Sequence, residues 1–213
     1  MSDSSLKTEQ IRRQYENGEL RRADLTADPH VLFANWLQQA LASDLLDATA
    51  MSLATASTSG KPSVRIVLLK GTDNSGLQFY TDYESDKGRQ LSANPEAAVV
   101  FHWRELNRQL RISGPIEKLS VAQSETYFAS RPQASQWAAS ASHQSAPIDD
   151  RAQLEQLMAE QQAKGAVPMP QRWGGYHLQP VEYEFWQGRA NRLHDRFHYR
   201  ATTDGWVIER RQP

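Results

Sequence analysis

Between Met51 and Arg210 the chain is cut into short β-rich runs by turn chemistry, and this punctuation limits it to an antiparallel, mainly β fold. MSLATAS (51–57), SVRIVLLK (63–70) and LQFYT (77–81) are separated by TSGKP and DNSG; AAVVFHW and RQLRISGPIEKL read as two more strands. Pro115 cannot donate to a ladder, which predicts a strand edge or bulge there. Beyond VPMP, three strands are read in GGYHLQPVEYEFWQG, RLHDRFHYR and WVIERR, the last pair joined through TTDG.

Helices frame these strands. Asp28 is an N-cap, Pro29 suits the first helical position, and Val31, Leu32, Trp36, Leu37 and Leu41 recur at helical spacing. Ser85 caps a short helix to Ala93, and Ser120 with Gln123 forms a capping box that opens a helix through Tyr127 to about residue 130. SQWAASASHQSAP reads as loop or weak helix, whereas Asp149 to Lys164 is a charged helix former with a solvated face. Six to eight strands with peripheral helices imply a mainly β (α+β) barrel or closed meander. No repeat or long linker divides it: residues 1–27 read as a polar mobile arm and 28–213 as one domain.

Composition narrows the chemistry. At 213 residues and 39% hydrophobic content the chain can bury a real core. Lysine plus arginine (24) nearly cancels aspartate plus glutamate (25), so no global field attracts nucleic acid and an anion site must come from local clustering. The absence of cysteine excludes disulfides, thiolate metal sites and cysteine nucleophiles. The first ten residues are polar, and no stretch approaches the ~20 apolar residues of a membrane span, so the cytoplasm is the expected compartment.

The stretch WQGRANRLHDRFHY (186–199) suggests such clustering. Read as a strand, it places Arg192, His194, Arg196 and His198 on one face and Leu193, Phe197 and Tyr199 on the other. That face is either solvated or shaped for an anion. His194 and His198 would lie about 13 Å apart on a strand, too far for one metal ion. Arg65 and Lys70 bracket RIVLLK, Lys87 lies in a helix start, and Arg131 follows Tyr127 by one turn; each is either an anion contact or an ordinary surface charge. Glycine-rich phosphate loops and HExxH spacing are absent from the sequence.

Seven ordered motifs then carry a resemblance: RIVLLK (65–70), FYT (79–81), RQLRISG (108–114), YFASRPQAS (127–135), Gln144 with Ser145, WGGY (173–176) and EFWQGRANRLHDRF (184–197). Together they resemble the pyridoxine/pyridoxamine 5'-phosphate oxidase family. The resemblance implies a split β-barrel homodimer that binds FMN at the subunit interface. It also implies oxidation of pyridoxamine or pyridoxine 5'-phosphate to pyridoxal 5'-phosphate, with dioxygen leaving as hydrogen peroxide.

Carried over by position, FMN contacts fall on Arg65, Ile66, Val67, Leu68, Leu69, Lys70, Tyr80, Thr81, Asp86, Lys87, Gln109, Gln144, Ser145, Trp186 and Arg196. Substrate-phosphate contacts fall on Lys70, Tyr127, Arg131 and Ser135. Arg192, Leu193 and His194 lie at the ring and reacting carbon, and Arg12, Arg13, Gln14 and Tyr15 form a lid. Asp86 stands where the family usually has arginine, and Arg89 is placed either to supply the missing charge or to pair with Asp86. The RRQP terminus also departs from the family's more apolar ending. A reductase on the same barrel, or a protein that only binds pyridoxal phosphate, are the competing readings.

Overall fold

A computed structural model describes residues 18–213; the stretch read as a lid, Arg12 to Tyr15, lies outside the described residues. Ten strands and five α-helices occur among the described residues. The first helix, α1 (Pro29–Leu41), starts as the sequence predicts: Asp28 accepts from His30 N–H and Pro29 occupies the first turn. Its apolar face, Leu32, Phe33, Trp36, Leu37 and Ala40, is buried against the sheet. Trp36 meets Phe185 edge-on at 5.1 Å and Phe33 packs on Phe101.

The strands are β1 (Ala50–Ala56), β2 (Pro62–Leu68), β3 (Gly71–Asp73), β4 (Gly76–Asp82), β5 (Glu96–Trp103), β6 (Arg108–Lys118), β7 (Trp173–Leu178), β8 (Glu182–Gln187), β9 (Asp195–Thr202) and β10 (Gly205–Arg210). All pair antiparallel in the order β10-β9-β8-β6-β5-β1-β2, with β7 joining β6 to β4 and β3 hanging on β4. The long strand β6 makes this possible by changing partner. Arg108 to Ser113 pair with β8, whereas Ile116 to Lys118 pair with β7.

The change happens at Gly114 and Pro115. Pro115 lacks an N–H but offers its carbonyl to Gln179 N–H, and Ser113 O accepts from Val181 N–H. Pro180 sits in the facing corner. The sequence reading ran β7 and β8 together as one strand; this corner divides them between two pairings.

Around the barrel the ladder runs β2-β1-β5-β6-β7-β4 and does not close. β2 and β4 are not laddered; where the chain leaves β2, Lys70 N–H donates to Gln78 O at 2.9 Å. The fold is therefore a split β-barrel, with α2 (Asp86–Ala93), α3 (Val121–Ser130), α4 (Gln133–Ala141) and α5 (Arg151–Ala163) on its outside.

Ser85 caps α2 and the Ser120–Gln123 box caps α3, as the sequence predicts. Of the segment expected to be loop or weak helix, residues 142–147 form a loop, and residues 135–141 belong to the helix α4. Its alanines favour a helix, it packs on α5, and Trp137 Nε1 donates to Gly165 O at 2.6 Å.

A Cβ at Gly114 would lie 2.0 Å from the backbone oxygen of Gln179, an atom that cannot turn aside. Gly114→Ala is therefore expected to destabilise the protein by about 1–3 kcal/mol, as overpacking does, read as a lower urea midpoint with unchanged slope. An unchanged midpoint would show that the corner yields without cost.

Candidate active site

The split holds a cavity of about 840 Å³, walled by β2 and β4 and roofed by α2, α3 and the segment after α4. Arg65, Ile66, Val67, Leu68, Lys70, Tyr80, Thr81, Asp86, Lys87, Gln144, Ser145, Tyr127 and Arg131 all line it. Residues up to 80 positions apart thus meet because β2 and β4 diverge between two helix ends. Leu69, just past the end of β2, is buried in the core instead, its N–H donating to Thr49 O at 2.9 Å. Ser135 lies at the start of α4, outside the cavity lining.

The cations of this cavity are held by neutral acceptors. Arg65 Nη1 donates to Thr55 Oγ1 at 2.6 Å and to Leu53 O, and its Nη2 donates to Gln90 Oε1. Lys87 is buried, with its ammonium donating to Gln144 Oε1 at 2.6 Å and Thr81 Oγ1 at 3.1 Å. Burial, then the charge of Arg65, pushes the Lys87 ammonium below its ordinary 10.5. This removes the surface-charge reading of Lys87. Arg131 lies over the Trp173 ring at 4.8 Å, and its Nη1 is buried without a hydrogen-bond partner. Among the described residues no carboxylate comes within ion-pair distance of Arg65, Lys87 or Arg131.

Asp86 is handled differently. Its carboxylate meets Arg89 Nη2 at 2.5 Å one helical turn on, both side chains largely exposed, while its backbone N–H donates to Ser145 Oγ. The pair brings its own neutralising charge to the cavity rim.

Several residues that position this site carry no motif of their own. Arg172 donates Nε to Asp82 at 3.0 Å and Nη2 to the carbonyls of Ala139, Ser140 and Ser142, closing the end of α4. That clamp sets the segment bearing Gln144 and Ser145 against β4. Gln90 orients Arg65, and Trp173 forms a stack with Tyr80 and Tyr127. Only the WGGY motif offered a signal, and it did not separate the tryptophan's role from core packing.

A second cluster lies elsewhere on the same chain. Register places Gln109 opposite Trp186 and Trp186 opposite Arg196, so three residues from β6, β8 and β9 form one row on one face. The adjacent row on the other face, Leu110, Phe185 and Phe197, is fully buried core. Arg196 donates Nη2 to buried Glu184 at 2.7 Å and Nη1 to Gln212 O at 2.8 Å, so the RRQP terminus serves to hold this arginine. Its Nε is buried without a hydrogen-bond partner. None of Gln109, Trp186, Arg192, His194 or Arg196 lines the cavity of its own chain.

The expected alternation from Arg192 to His198 holds only in part. β9 begins at Asp195, so Arg196 and His198 share a strand face, but Arg192 and His194 precede it. Asn191 and Arg192 adopt φ of 56° and 61° in a tight turn, which throws Arg192 and Leu193 outward. Leu193 is therefore exposed rather than facing the core with Phe197 and Tyr199. His194 Nδ1 accepts from Arg189 N–H at 3.0 Å, which puts the hydrogen of the neutral ring on Nε2, and its ring packs on Trp186 at 4.5 Å. Burial, then Arg192, holds its pKa below the usual histidine value.

This chain matches the family model described as pyridoxamine 5'-phosphate oxidase over residues 37–164, and the pyridoxine 5'-phosphate oxidase C-terminal dimerisation region over 173–213. It is 53% identical to the pyridoxine/pyridoxamine 5'-phosphate oxidase of Deinococcus deserti, covering 95% of this chain and 97% of that protein. It is 50% identical to the enzyme of the same name from Hahella chejuensis, covering 98% and 100%. Among solved structures it superposes on PhzG from Burkholderia lata 383, in complex with tetrahydrophenazine-1-carboxylic acid, with a TM-score of 0.89 at 33% identity, covering 94% of this chain and 100% of that one. An FMN binding protein from Nostoc punctiforme shares the fold, with a TM-score of 0.71 at 19% identity, covering 89% and 100%. With the family models covering most of the length and relatives of about half identity covering nearly all of it, the chain belongs to the pyridoxamine 5'-phosphate oxidase family of oxidoreductases.

Proposed function

We propose that the protein oxidises pyridoxamine 5'-phosphate and pyridoxine 5'-phosphate to pyridoxal 5'-phosphate with FMN as cofactor, in the biosynthesis and salvage of that compound. The observation that carries this reading is the set of cavity cations, Arg65, Lys87 and Arg131, whose partners are neutral. A buried cation without a counter-ion is costly, and a phosphate dianion supplies one. Two phosphates are required, one from FMN and one from the substrate, and the cations form two groups. Arg65 and Lys87, with Thr81, Gln144, Ser145 and the start of α2, suit the FMN phosphate. Lys70, Tyr127 and Arg131, with Ser135 nearby in the chain, suit the substrate phosphate.

We assign Gln109, Trp186, Arg192, His194 and Arg196 to the site through a second copy of the chain, because they gather outside their own cavity and within or beside the matched dimerisation region. In this homodimer Trp186 offers a ring wall and Arg196, braced by Glu184, a fixed cation. Arg192 and His194 would hold the substrate ring and the 4' carbon.

Bound FMN would supply the acceptor for one hydride equivalent, two electrons and a proton, from that carbon; with the proton released from the alcohol or amine, those electrons would reduce dioxygen to hydrogen peroxide. The alcohol yields aldehyde directly; the amine also consumes water and releases ammonia. The protein's own part is orientation and charge: the cations fix both phosphates, and neutral His194, its Nδ1 taken by Arg189 N–H, presents Nε2–H as a donor to the substrate.

Protein supplemented with FMN is expected to show a bound-flavin spectrum and to convert pyridoxamine 5'-phosphate in air with matching peroxide. Absence of both, or turnover of a reduced phenazine carboxylate in preference to the phosphorylated pyridine, would displace this reading. Arg192→Ala is expected to lower kcat/KM roughly ten- to a hundredfold while FMN stays bound, as loss of a charge-assisted contact does. Parent-like kinetics would remove Arg192 from the site.

Lys87 generates a pH prediction. Its folded value is lowered, so between that value and 10.5 the unfolded chain binds more protons, and the Lys87 contribution to apoprotein stability rises with pH. Below the window that contribution is lost. Urea unfolding across the alkaline range is expected to show this gain in the apoprotein, to lose it in Lys87→Met, and to show less of it when FMN is bound. Identical pH slopes for parent and variant would contradict it.

A further inference from the structure

We propose that Trp173 is a positioning residue whose indole face holds the Arg131 guanidinium at the phosphate end of the substrate pocket. The inference deepens the function proposed above and rests on its assignment of Arg131. Arg131 is the C-cap of α3, with an extended backbone (φ −73°, ψ 150°), and Pro132 follows it, so its side chain leaves the helix axis toward the cavity. There the guanidinium carbon lies 4.8 Å from the centroid of Trp173 and 5.8 Å from that of Phe128. Neither a carboxylate nor any other acceptor within the described residues bonds its Nη1, which is buried. The aromatic faces are therefore what locates the charge.

Trp173 is itself held rigidly. It opens β7 opposite Asp82 and its N–H donates to Pro170 O. Its ring lies nearly parallel to Tyr80 (5.5 Å, 13°) and Tyr127 (6.2 Å, 6°), with Phe128 edge-on at 5.1 Å. A carboxylate in its place would fix the arginine as well but would occupy the N–H groups and repel a dianion. An aromatic face restrains the guanidinium plane and leaves its edge N–H groups available to phosphate oxygens. This arrangement sets specificity as well as affinity, since an unphosphorylated substrate would leave the same guanidinium without an acceptor.

The test uses the FMN-loaded enzyme in four forms: parent, Arg131→Ala, Trp173→Leu and Trp173→Phe. Trp173→Leu is expected to raise KM for pyridoxamine 5'-phosphate by about three- to thirtyfold, the range of a lost cation–π contact, with the smaller share of the effect on kcat. Trp173→Phe, which keeps a weaker aromatic face, should fall between parent and Trp173→Leu. Activity on unphosphorylated pyridoxamine should change far less than activity on the phosphate, an asymmetry that general loss of structure would not produce. If Trp173→Leu fails to fold, Trp173→Phe decides: an intermediate KM supports the inference and a parent KM overturns it. Equal losses on both substrates also overturn it. Should the parent turn over and Arg131→Ala raise KM while Trp173→Leu does not, this inference fails alone. Should the parent not turn over pyridoxamine 5'-phosphate, the proposed function fails first.

Discussion

The partner change along β6 is the constraint on which the remaining architecture depends. One strand pairs with β8 over its first half and with β7 over its last residues, so the sheet bends out of a single surface at Gly114 and Pro115. A glycine is needed because the Gln179 carbonyl sits where a side chain would begin, and a proline is tolerated because its missing N–H falls at the exchange. From that corner β7 carries the ladder round to β4, and the gap between β4 and β2 becomes the cavity.

The cavity shows how charge can be stored without being spent. Arg65, Lys87 and Arg131 rest on hydroxyls, amide oxygens, backbone carbonyls and an indole face, none of which cancels their charge. Arg172, by contrast, pairs with Asp82 and is committed to structure, clamping α4 to β4. Arg196 is braced against Glu184, which fixes its place at the cost of part of its charge. The difference separates arginines whose charge no carboxylate offsets from arginines paired into the scaffold, and sequence position alone does not draw it.

The second cluster follows from the same sheet. Gln109, Trp186 and Arg196 align because β8 stands between β6 and β9 in strict register, with the adjacent row of Leu110, Phe185 and Phe197 locked in the core. A slip of one residue would bury Arg196 and expose Phe197, so core packing holds the row in place. The C-terminal carbonyl of Gln212 then steadies Arg196 from the side, giving the polar terminus a structural use.

Local chemistry was enough to specify much of this protein. Asp28–Pro29, Ser85 and the Ser120–Gln123 box started their helices where expected, because caps act within one turn of chain. β-rich runs bounded by turn residues placed β1, β2, β4, β5 and most of β6, and ordered motifs indicated the family and pointed to most of the residues that line the cavity. What the sequence left open were properties of distant neighbours. The division of β7 from β8 depends on a corner shared with Pro115, and the helicity of α4 depends partly on α5 and Gly165. The outward turn of Arg192 depends on a left-handed pair of residues that strand periodicity cannot express. Whether Lys87 was surface or interior, and whether Asp86 met Arg89, was decided only when β4, α2 and the Gln144 segment came together, since burial and pairing are set by what packs nearby rather than by what adjoins in the chain.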